Sequence, residues 1–377
     1  MATQEKEVLQ FGAIAIKLGY TTLERVDECM RIQEKMRALG VEPKKVGEVM
    51  LSKGYLTEEQ IAQIFRYQGL RGGHTQIIGY KILTKIGQGA MGSIYKAIQI
   101  SMDRVVAIKV LSPRYAQNDA FRERFLKEAR AVARLNHPNI IQGIDVGESN
   151  GIHYFAMEYI DGPNVHDLLK RGGALDEAQA LSIVTQVAKA LQHAFRNGFI
   201  HRDVKPDNIM LTRDGSAKLC DLGLAKKLNV NDNQPGMTKH GSSLGTPHYI
   251  SPEQALGRED VDFRSDIYSL GASLYHMVVG DVAFPSDNAA YVISKHLTEM
   301  PPAPHQRNPN VTEEVEFILN RMLQKNRDDR HQTYEELIHD LEAVSSGGAP
   351  EGFKRPDTKL QSLSRRIRRR RISRRFR

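Results

Sequence analysis

The chain has 377 residues, of which 40% are hydrophobic and 26% are charged, an ordinary composition for a globular protein of two or three domains. It has no run of roughly 18 apolar residues, the length that a membrane-spanning helix needs, and its two cysteines are too few for a disulfide scaffold. Met1–Glu7 lacks the basic start and apolar stretch of a secretory signal. We therefore expect a cytoplasmic protein.

The net charge of +8 is concentrated at the C-terminus. Ser364–Arg377 carries nine arginines and no acidic residue, so the rest of the chain has a net charge of −1. Small and polar residues precede this run, and segments of high charge and low hydrophobicity are typical of disorder. We expect residues 345–377 to form a disordered, arginine-rich tail.

The first 75 residues contain an internal repeat. Phe11–Gln33 and Val46–Gln68 align without gaps over 23 residues. Each copy predicts a short helix that ends at a glycine, followed by a threonine N-cap and a second helix. In the second copy, Gln60 follows Thr57 at the spacing of a capping box. We expect residues 1–75 to form a small helical repeat domain.

The main predicted domain covers residues 80–344. Tyr80–Val110 alternates between strands and turns, and Ala120–Leu135 has helical spacing. Gly151–Tyr159 predicts another strand, and the pattern after it is mostly helical. A β-rich part followed by a helical part predicts an α+β fold with two lobes.

A glycine motif, G-x-G-x-x-G, lies between the first two predicted strands, with Gly87, Gly89 and Gly92 as its glycines. Dinucleotide-binding folds share this spacing, but in them a helix follows the third glycine. Here Ser93–Ile98 alternates and contains β-branched residues, which favours a strand. We expect a hairpin whose backbone closes over phosphates.

Lys109 ends an apolar strand that begins at Val106. A buried ammonium needs a partner, because an unpaired charge in an apolar site is costly. Glu128, on the helix that follows, is the candidate partner. The alternative is a surface lysine whose stem lies on apolar residues while its charge reaches water.

His201–Asn208 combines a carboxylate, a cation and a carboxamide within eight residues, and Asp221 lies eighteen residues after Asp203. Such a set can hold a hydroxyl nucleophile, a triphosphate and a divalent metal together. With the glycine motif and Lys109 upstream in the same order, Tyr80–Val344 resembles the eukaryotic-type (Hanks-type) protein kinases, in particular the bacterial serine/threonine kinases.

The resemblance implies a bilobal kinase fold, ATP as the cofactor and serine or threonine hydroxyls of proteins as acceptors, since Lys205 looks like the marker of the serine/threonine-directed members. The catalytic residues that it implies are Asp203, Lys205, Lys109 and Glu128. The implied metal ligands, for Mg²⁺ or Mn²⁺, are Asn208 and Asp221. The implied nucleotide-binding residues are Gly87, Gly89, Gly92, Ile94, Ala107, Lys109, Met157, Glu158, Ile160 and Met210.

The resemblance also implies two structural contacts: Glu253 pairs with Arg330, and Asp266 holds the backbone of the catalytic loop. Leu222, after the metal-binding Asp221, stands where phenylalanine is commoner and is still apolar. Because the catalytic set is complete, we expect an active enzyme. The alternatives are a kinase-like scaffold that binds nucleotide and works through its end modules, and a nucleic-acid-binding protein with an incidental kinase fold.

Regulation by phosphorylation is expected from Arg202, directly before the catalytic aspartate. In the family, an arginine there often marks kinases whose activation segment is ordered by phosphate, which an arginine can bind. Thr238, Ser242 and Ser243 lie in the corresponding segment. We expect autophosphorylation there, at Thr238 first. The alternative is a segment that is ordered without modification.

The repeat in residues 1–75 resembles the N-terminal domain of type II secretion and pilus ATPases (the MshEN type), which suggests a bacterial source. Some of those domains bind cyclic di-GMP through copies that begin Arg-Leu-Gly. Here the matching triplets are Gln10-Phe11-Gly12 and Lys45-Val46-Gly47. Neither has the arginine whose guanidinium makes bidentate contacts. We therefore expect a partner protein or self-association, and we do not expect cyclic di-GMP binding.

The arginine tail has three alternative roles: an anchor on anionic lipid or nucleic acid that could hold the protein at a membrane periphery, a self-substrate at Ser373, or a solubilising segment. If its nine arginines bind DNA phosphates, the logarithm of affinity should fall with log salt at a slope of about −8. Fluorescence anisotropy with labelled duplex DNA and cosedimentation with anionic vesicles test the anchor, with a chain that lacks Ser364–Arg377 as control. A flat salt response together with no vesicle binding excludes it.

Overall fold

The structure is a computed structural model, and it describes residues 11–38, 46–69, 77–89, 92–221 and 247–354. By internal contacts the chain divides into two compact units. The first comprises the residues up to Lys127 together with Ile144–Tyr159, and the second comprises Glu128–Gly143 together with the residues from Ile160 onwards.

Four helices form the N-terminal part of the first unit: α1 (11–17), α2 (Leu23–Ala38), α3 (Val46–Ser52) and α4 (Glu58–Gly69). The chain leaves α1 at Gly19 and α3 at Gly54, whose φ angles of +73° and +69° lie in the left-handed region that favours glycine. Thr57 and Gln60 form the predicted capping box, because each backbone amide donates to the side chain of the other residue, at 2.9 and 3.2 Å.

The two repeats exchange equivalent contacts. Tyr20 and Tyr55 occupy the same position in the two copies, and so do Glu28 and Gln63. The Tyr55 hydroxyl donates to Glu28 Oε2 at 2.6 Å, and the Tyr20 hydroxyl donates to the side chain of Gln63. The apolar residues of both copies merge into one buried core, which consists of Phe11, Ile14, Ala15, Val26, Cys29, Val46, Val49, Met50, Leu56 and Ile64. The two repeats therefore share one buried core. A separate domain over residues 1–75 and the interaction role expected for it both stay predictions.

A five-stranded sheet forms the rest of the first unit, with the spatial order β1-β2-β3-β5-β4. Its strands are β1 (Tyr80–Gly89), β2 (Gly92–Gln99), β3 (Arg104–Leu111), β4 (Gly143–Ser149) and β5 (Ile152–Glu158). The short helix α5 (Pro113–Ala116) and the longer α6 (Asp119–Val132) follow β3. One face of the sheet carries a buried cluster that includes Val106, Ile108 and Ala156.

In its described residues, the second unit is helical except for one small hairpin. Its elements are α7 (Val165–Gly172), α8 (Glu177–Arg196), β6 (Ile209–Leu211), β7 (Ala217–Leu219), α9 (Pro252–Ala255), α10 (Arg264–Val279), α11 (Ala289–Thr298), α12 (Pro304–Arg307), α13 (Glu313–Met322) and α14 (Tyr334–Ser345). α10 is buried from Ser265 to Val278, so it is a central core helix. No helix among the described residues is long and apolar enough to span a bilayer.

Residues 346–354 differ from the prediction that disorder begins at residue 345. The Glu351 amide donates to Asp340 Oδ1 at 2.8 Å, and the Phe353 ring packs edge-on against Phe317 at 5.5 Å between centroids. Phe353 gives this small, polar segment an apolar contact. The carboxylate of Asp340 accepts a hydrogen bond from one of its backbone amides, that of Glu351. The arginine-rich residues 355–377 lie outside the described part of the chain.

A buried ion pair joins α9 to the loop before α14, as expected. Arg330 donates to both carboxylate oxygens of Glu253, at 2.7 and 2.9 Å, and the two residues are only 1% and 4% exposed. Burial acts to raise the pKa of Glu253, but the hydrogen bonds and charge of Arg330 outweigh it and lower that pKa. The pair therefore contributes stability at neutral pH that is lost as the pH falls through the folded pKa of Glu253.

We expect Arg330→Met to lower the free energy of unfolding at pH 7 by about 3–5 kcal/mol, because it leaves a buried carboxylate unpaired. Arg196→Met is the matched control, since Arg196 pairs with Glu335 on the surface and such a pair contributes at most about 1 kcal/mol. Urea denaturation measures both changes, and the difference between wild type and Arg330→Met should shrink in acid. Equal losses for the two variants would contradict the interpretation.

Candidate active site

The loop between α8 and β6 is held by a carboxylate of the core helix. The backbone amides of His201 and Arg202 donate to the two oxygens of Asp266, at 2.8 and 2.7 Å. Asp266 is 1% exposed in the first turn of α10, and Arg202 adopts a left-handed φ of +62°. A strained residue persists only where its surroundings hold it, and two charge-assisted hydrogen bonds do so here. The predicted role of Asp266 is confirmed.

His201 connects this loop to the end of β7. Its ring is fully buried, and Nε2 lies 2.9 Å from the carbonyl oxygen of Cys220. A carbonyl oxygen only accepts, so Nε2 carries the proton and Nδ1 is left as an acceptor. The amide of Asp203 donates to this Nδ1 at 3.2 Å. The imidazole thereby fixes the position of the Asp203 backbone.

Two of the predicted site residues, Lys205 and Asn208, contact a third, Asp203. Lys205 Nζ donates to Asp203 Oδ2 at 2.8 Å, and Asn208 Nδ2 donates to the Asp203 carbonyl at 2.8 Å and to Oδ2 at 3.2 Å. The side chains of Asp203 and Lys205 are 29% and 25% exposed, so both reach solvent from a partly buried position. The result is an oriented carboxylate beside a cation, accessible to a substrate group.

The two predicted metal ligands lie at adjoining chain segments. The Cys220 amide donates to the Asn208 carbonyl at 2.8 Å, next to the pairing of Ile209 with Leu219 in the β6–β7 hairpin. Asp221 follows Cys220 directly, with a left-handed φ of +57°. Carboxylate and amide oxygens are the hard ligands that Mg²⁺ prefers. Among the described residues no group of three His, Cys, Asp or Glu could hold a metal ion.

In the first unit, the predicted nucleotide-binding side chains share one face of the sheet. Ile94 lies opposite Lys109 in the β2–β3 ladder, and Ala107 lies opposite Met157 in the β3–β5 ladder. Ala107 and Lys109 are two residues apart on one strand, so they point to the same side. This face is opposite to the one that carries the buried cluster around Ile108.

The third glycine of the motif has a structural role that sequence reasoning missed. A Cβ atom on Gly92 would lie 1.8 Å from the Val110 carbonyl oxygen, whereas Cβ atoms on Gly87 and Gly89 would meet nothing closer than 3.6 and 3.9 Å. Gly92 is therefore required by the close approach of β2 to the end of β3. Gly87 and Gly89 have no such constraint and keep the predicted role of closing over phosphates.

The chain passes from the first unit to the second for the last time between Tyr159 and Ile160. Glu158 ends β5, and Met157 and Ile160 are 5% and 8% exposed. Met210, in the second unit, lies in the middle of β6 and pairs with Lys218. Adenine contacts by these residues stay predictions.

Several predictions concern residues or side chains outside the described part of the structure. The side chain of Glu128 is not described, so its pairing with Lys109 stays a prediction. The motif residues Leu222 and Gly223 and the candidate phosphorylation sites Thr238, Ser242 and Ser243 also lie outside the described residues.

Gln254 is a site residue that sequence reasoning missed. Its Nε2 donates to the carbonyl of Arg202 at 2.8 Å, while its amide and Oε1 complete a capping box with Ser251 at the start of α9. The Ser-x-x-Gln spacing in the sequence is the signal that could have found it. The segment after residue 246 is thereby fastened to the catalytic loop.

Comparison with known proteins gives consistent matches. The model of the protein kinase domain family matches residues 80–341. Serine/threonine-protein kinase pkn3 of Myxococcus xanthus is 40% identical over 279 residues, covering 72% of this chain and 51% of that protein. Serine/threonine-protein kinase PknB of Mycolicibacterium smegmatis is 38% identical over 279 residues, covering 73% of this chain and 44% of that protein. The chain thus spans about half or less of these relatives' length.

Among solved structures, the crystal structure of the Mycobacterium tuberculosis PknI kinase domain is 30% identical, with a TM-score of 0.56, and the match covers 72% of this chain and 98% of that domain. The fold class predicted from the sequence, a sheet-rich lobe and a helical lobe, is confirmed. The family match covers more than half of the chain, and it includes the catalytic loop held by Asp266. The chain belongs to the protein kinase family.

Proposed function

We propose that the chain is an ATP-dependent serine/threonine protein kinase, a transferase that moves the γ-phosphoryl group of ATP to hydroxyl groups of proteins. The observation that carries this proposal is the Asp203 carboxylate, held by Lys205 and Asn208 on a backbone that Asp266 fixes. The named relatives are serine/threonine-protein kinases, and Lys205 stands two residues after Asp203, at the position that marks this class.

In the proposed reaction, Asp203 orients the acceptor hydroxyl and takes its proton. The hydroxyl oxygen forms a bond to the γ-phosphorus while the bond from that phosphorus to its bridging oxygen breaks, and ADP leaves. Lys205, 2.8 Å from Asp203 Oδ2, holds the carboxylate and offers positive charge next to the transferred group. Such charge matters because the transition state spreads negative charge over the phosphoryl oxygens.

Asn208 and Asp221 would hold a divalent cation, with Mg²⁺ as the proposed ion and Mn²⁺ as an alternative. Bound there, the cation would neutralise charge on the ATP phosphates. Asn208 also donates to Asp203, so the same side chain links the metal ligands to the general base. This connection orients Asp203 with respect to the phosphates.

For the nucleotide, we propose that Lys109, paired with Glu128, binds the α- and β-phosphates under the hairpin of Gly87 and Gly89. The shared sheet face supports an adenine site in which the ring packs on Ile94 and Ala107. The further adenine contacts proposed are Met157, Glu158, Ile160 and Met210.

We expect Asp203→Asn to reduce phosphoryl transfer by about 10²- to 10⁴-fold, because a positioned general base contributes that much to the rate. ATP affinity should be unchanged, since Asp203 contacts the acceptor and not the nucleotide. Asp214→Asn, in the exposed β6–β7 turn where Asp214 accepts from Ser216, is the matched control. Radiolabel transfer to a protein acceptor measures the rates, and equal transfer by Asp203→Asn and wild type would overturn the mechanism.

We further propose that the activation segment is autophosphorylated, first at Thr238, and that Arg202 binds the phosphate. After phosphatase treatment and incubation with Mg-ATP, mass spectrometry should detect phosphate at Thr238 before Ser242 or Ser243. Thr238→Ala should slow the rise of activity, and Asp203→Asn should stay unmodified. A fully active enzyme with an unmodified segment would exclude this form of regulation.

A further inference from the structure

The chain directly after residue 246 lies beside the catalytic loop. It begins with a turn of 3₁₀ helix, Pro247–Tyr249, and continues into α9. Gln254 fastens this stretch to the carbonyl of Arg202 at 2.8 Å, directly before Asp203. Because this stretch is bonded to the residue before Asp203, its position can affect the binding of a peptide that presents its hydroxyl to Asp203.

His296, in α11, holds the turn through a hydrogen bond from its ring to a backbone carbonyl of the turn. The ring is fully buried, and Nε2 lies 3.0 Å from the carbonyl oxygen of His248. Because the carbonyl can only accept, Nε2 is the donor and carries the ring proton. Burial lowers the pKa of His296 to about 3, so the imidazole is neutral near pH 7 and has one donor and one acceptor.

Tyr268, in the core helix α10, determines which nitrogen of that imidazole is protonated. Its hydroxyl lies 2.9 Å from His296 Nδ1. Since Nε2 holds the only ring proton, Nδ1 accepts, and the tyrosine hydroxyl is the donor. A second hydrogen bond that selects the tautomer is the usual way in which a protein fixes the role of a histidine.

Lys325 completes the chain of donors. Its ammonium donates to the Tyr268 hydroxyl oxygen at 2.9 Å and lies over the rings of Tyr268 and Phe284, at 5.2 and 5.4 Å from their centroids. An ammonium has no acceptor, so the direction of every hydrogen bond from Lys325 to the His248 carbonyl is determined. Burial and the nearby Arg330 lower the pKa of Lys325 to about 8, which keeps most of it charged at pH 7.

We propose that His296 is a positioning residue for the protein substrate: it fixes the turn Pro247–Tyr249 through the His248 carbonyl, and Tyr268 and Lys325 hold His296 in the donating tautomer. The inference rests on the kinase activity proposed above and extends it to acceptor binding. His296 lies 93 residues after Asp203 in the chain and acts on the acceptor only through backbone, so it affects the acceptor and not ATP.

The test compares His296→Phe with His296→Gln in the full-length chain. Phenylalanine keeps an aromatic ring but loses the donor, whereas the glutamine amide can still donate to the His248 carbonyl. A randomised serine peptide library first identifies an acceptor for the wild-type enzyme, and that peptide is then the probe. The measured quantities are kcat, the KM for the peptide, the KM for ATP, and the hydrolysis of ATP without peptide.

We expect His296→Phe to raise the peptide KM about ten-fold, the effect of losing one buried hydrogen bond, with the KM for ATP and the basal hydrolysis unchanged. His296→Gln should restore the peptide KM to within about three-fold of wild type, and Tyr268→Phe should give an intermediate value. His193→Phe is the control, because His193 lies on α8 with its ring near His137 and away from the turn.

A wild-type peptide KM in His296→Phe overturns the proposal, and so does a glutamine variant that is as impaired as the phenylalanine variant. Equal increases in the KM for peptide and for ATP would indicate a general loss of structure and would also overturn it. Melting temperatures of all variants accompany the kinetics. A wild-type enzyme that transfers phosphate to no peptide, while it hydrolyses ATP, contradicts the proposed function instead.

Discussion

The active part of this molecule depends on one carboxylate that accepts two consecutive backbone amides. Asp266 lies inside the core, where an unpaired charge would be costly, and the amides of His201 and Arg202 supply its partners. The same two bonds hold Arg202 in a left-handed conformation, which turns the chain so that Asp203, Lys205 and Asn208 converge. The geometry of the catalytic loop is therefore a consequence of burying a charge in α10.

Two uncharged histidines of the helical unit also hold backbone groups in place by hydrogen bonds. His201 and His296 each donate from Nε2 to a carbonyl and accept at Nδ1, from an amide in one case and from a tyrosine in the other. A neutral imidazole suits this task because it joins one donor to one acceptor at a fixed distance without a buried charge. Both histidines are fully buried, and both donate to backbone carbonyls that they hold in place.

The part of the site whose residues lie close together in the chain could be predicted from the sequence. Asp203, Lys205 and Asn208 lie within six residues, and the family pattern indicated the distant partners Glu253 and Arg330. The contact of His296 with the turn could not be predicted, because a buried neutral histidine is no different in sequence from a surface one, and its partner is a backbone carbonyl 48 residues away. Likewise, the sequence did not indicate that order continues past residue 345, which the packing of Phe353 on Phe317 and the bond from the Glu351 amide to Asp340 show.

The three glycines of the G-x-G-x-x-G motif are not all explained by the same physical constraint. Gly92 is constrained by the Val110 carbonyl inside the sheet, whereas the role proposed for the other two glycines is to close over the nucleotide phosphates. A related protein that lost nucleotide binding could therefore change Gly87 and Gly89 freely while its sheet still required Gly92. A relative that keeps only the glycine equivalent to Gly92 would therefore have kept a requirement of the sheet. That glycine alone would not indicate that the relative still uses ATP.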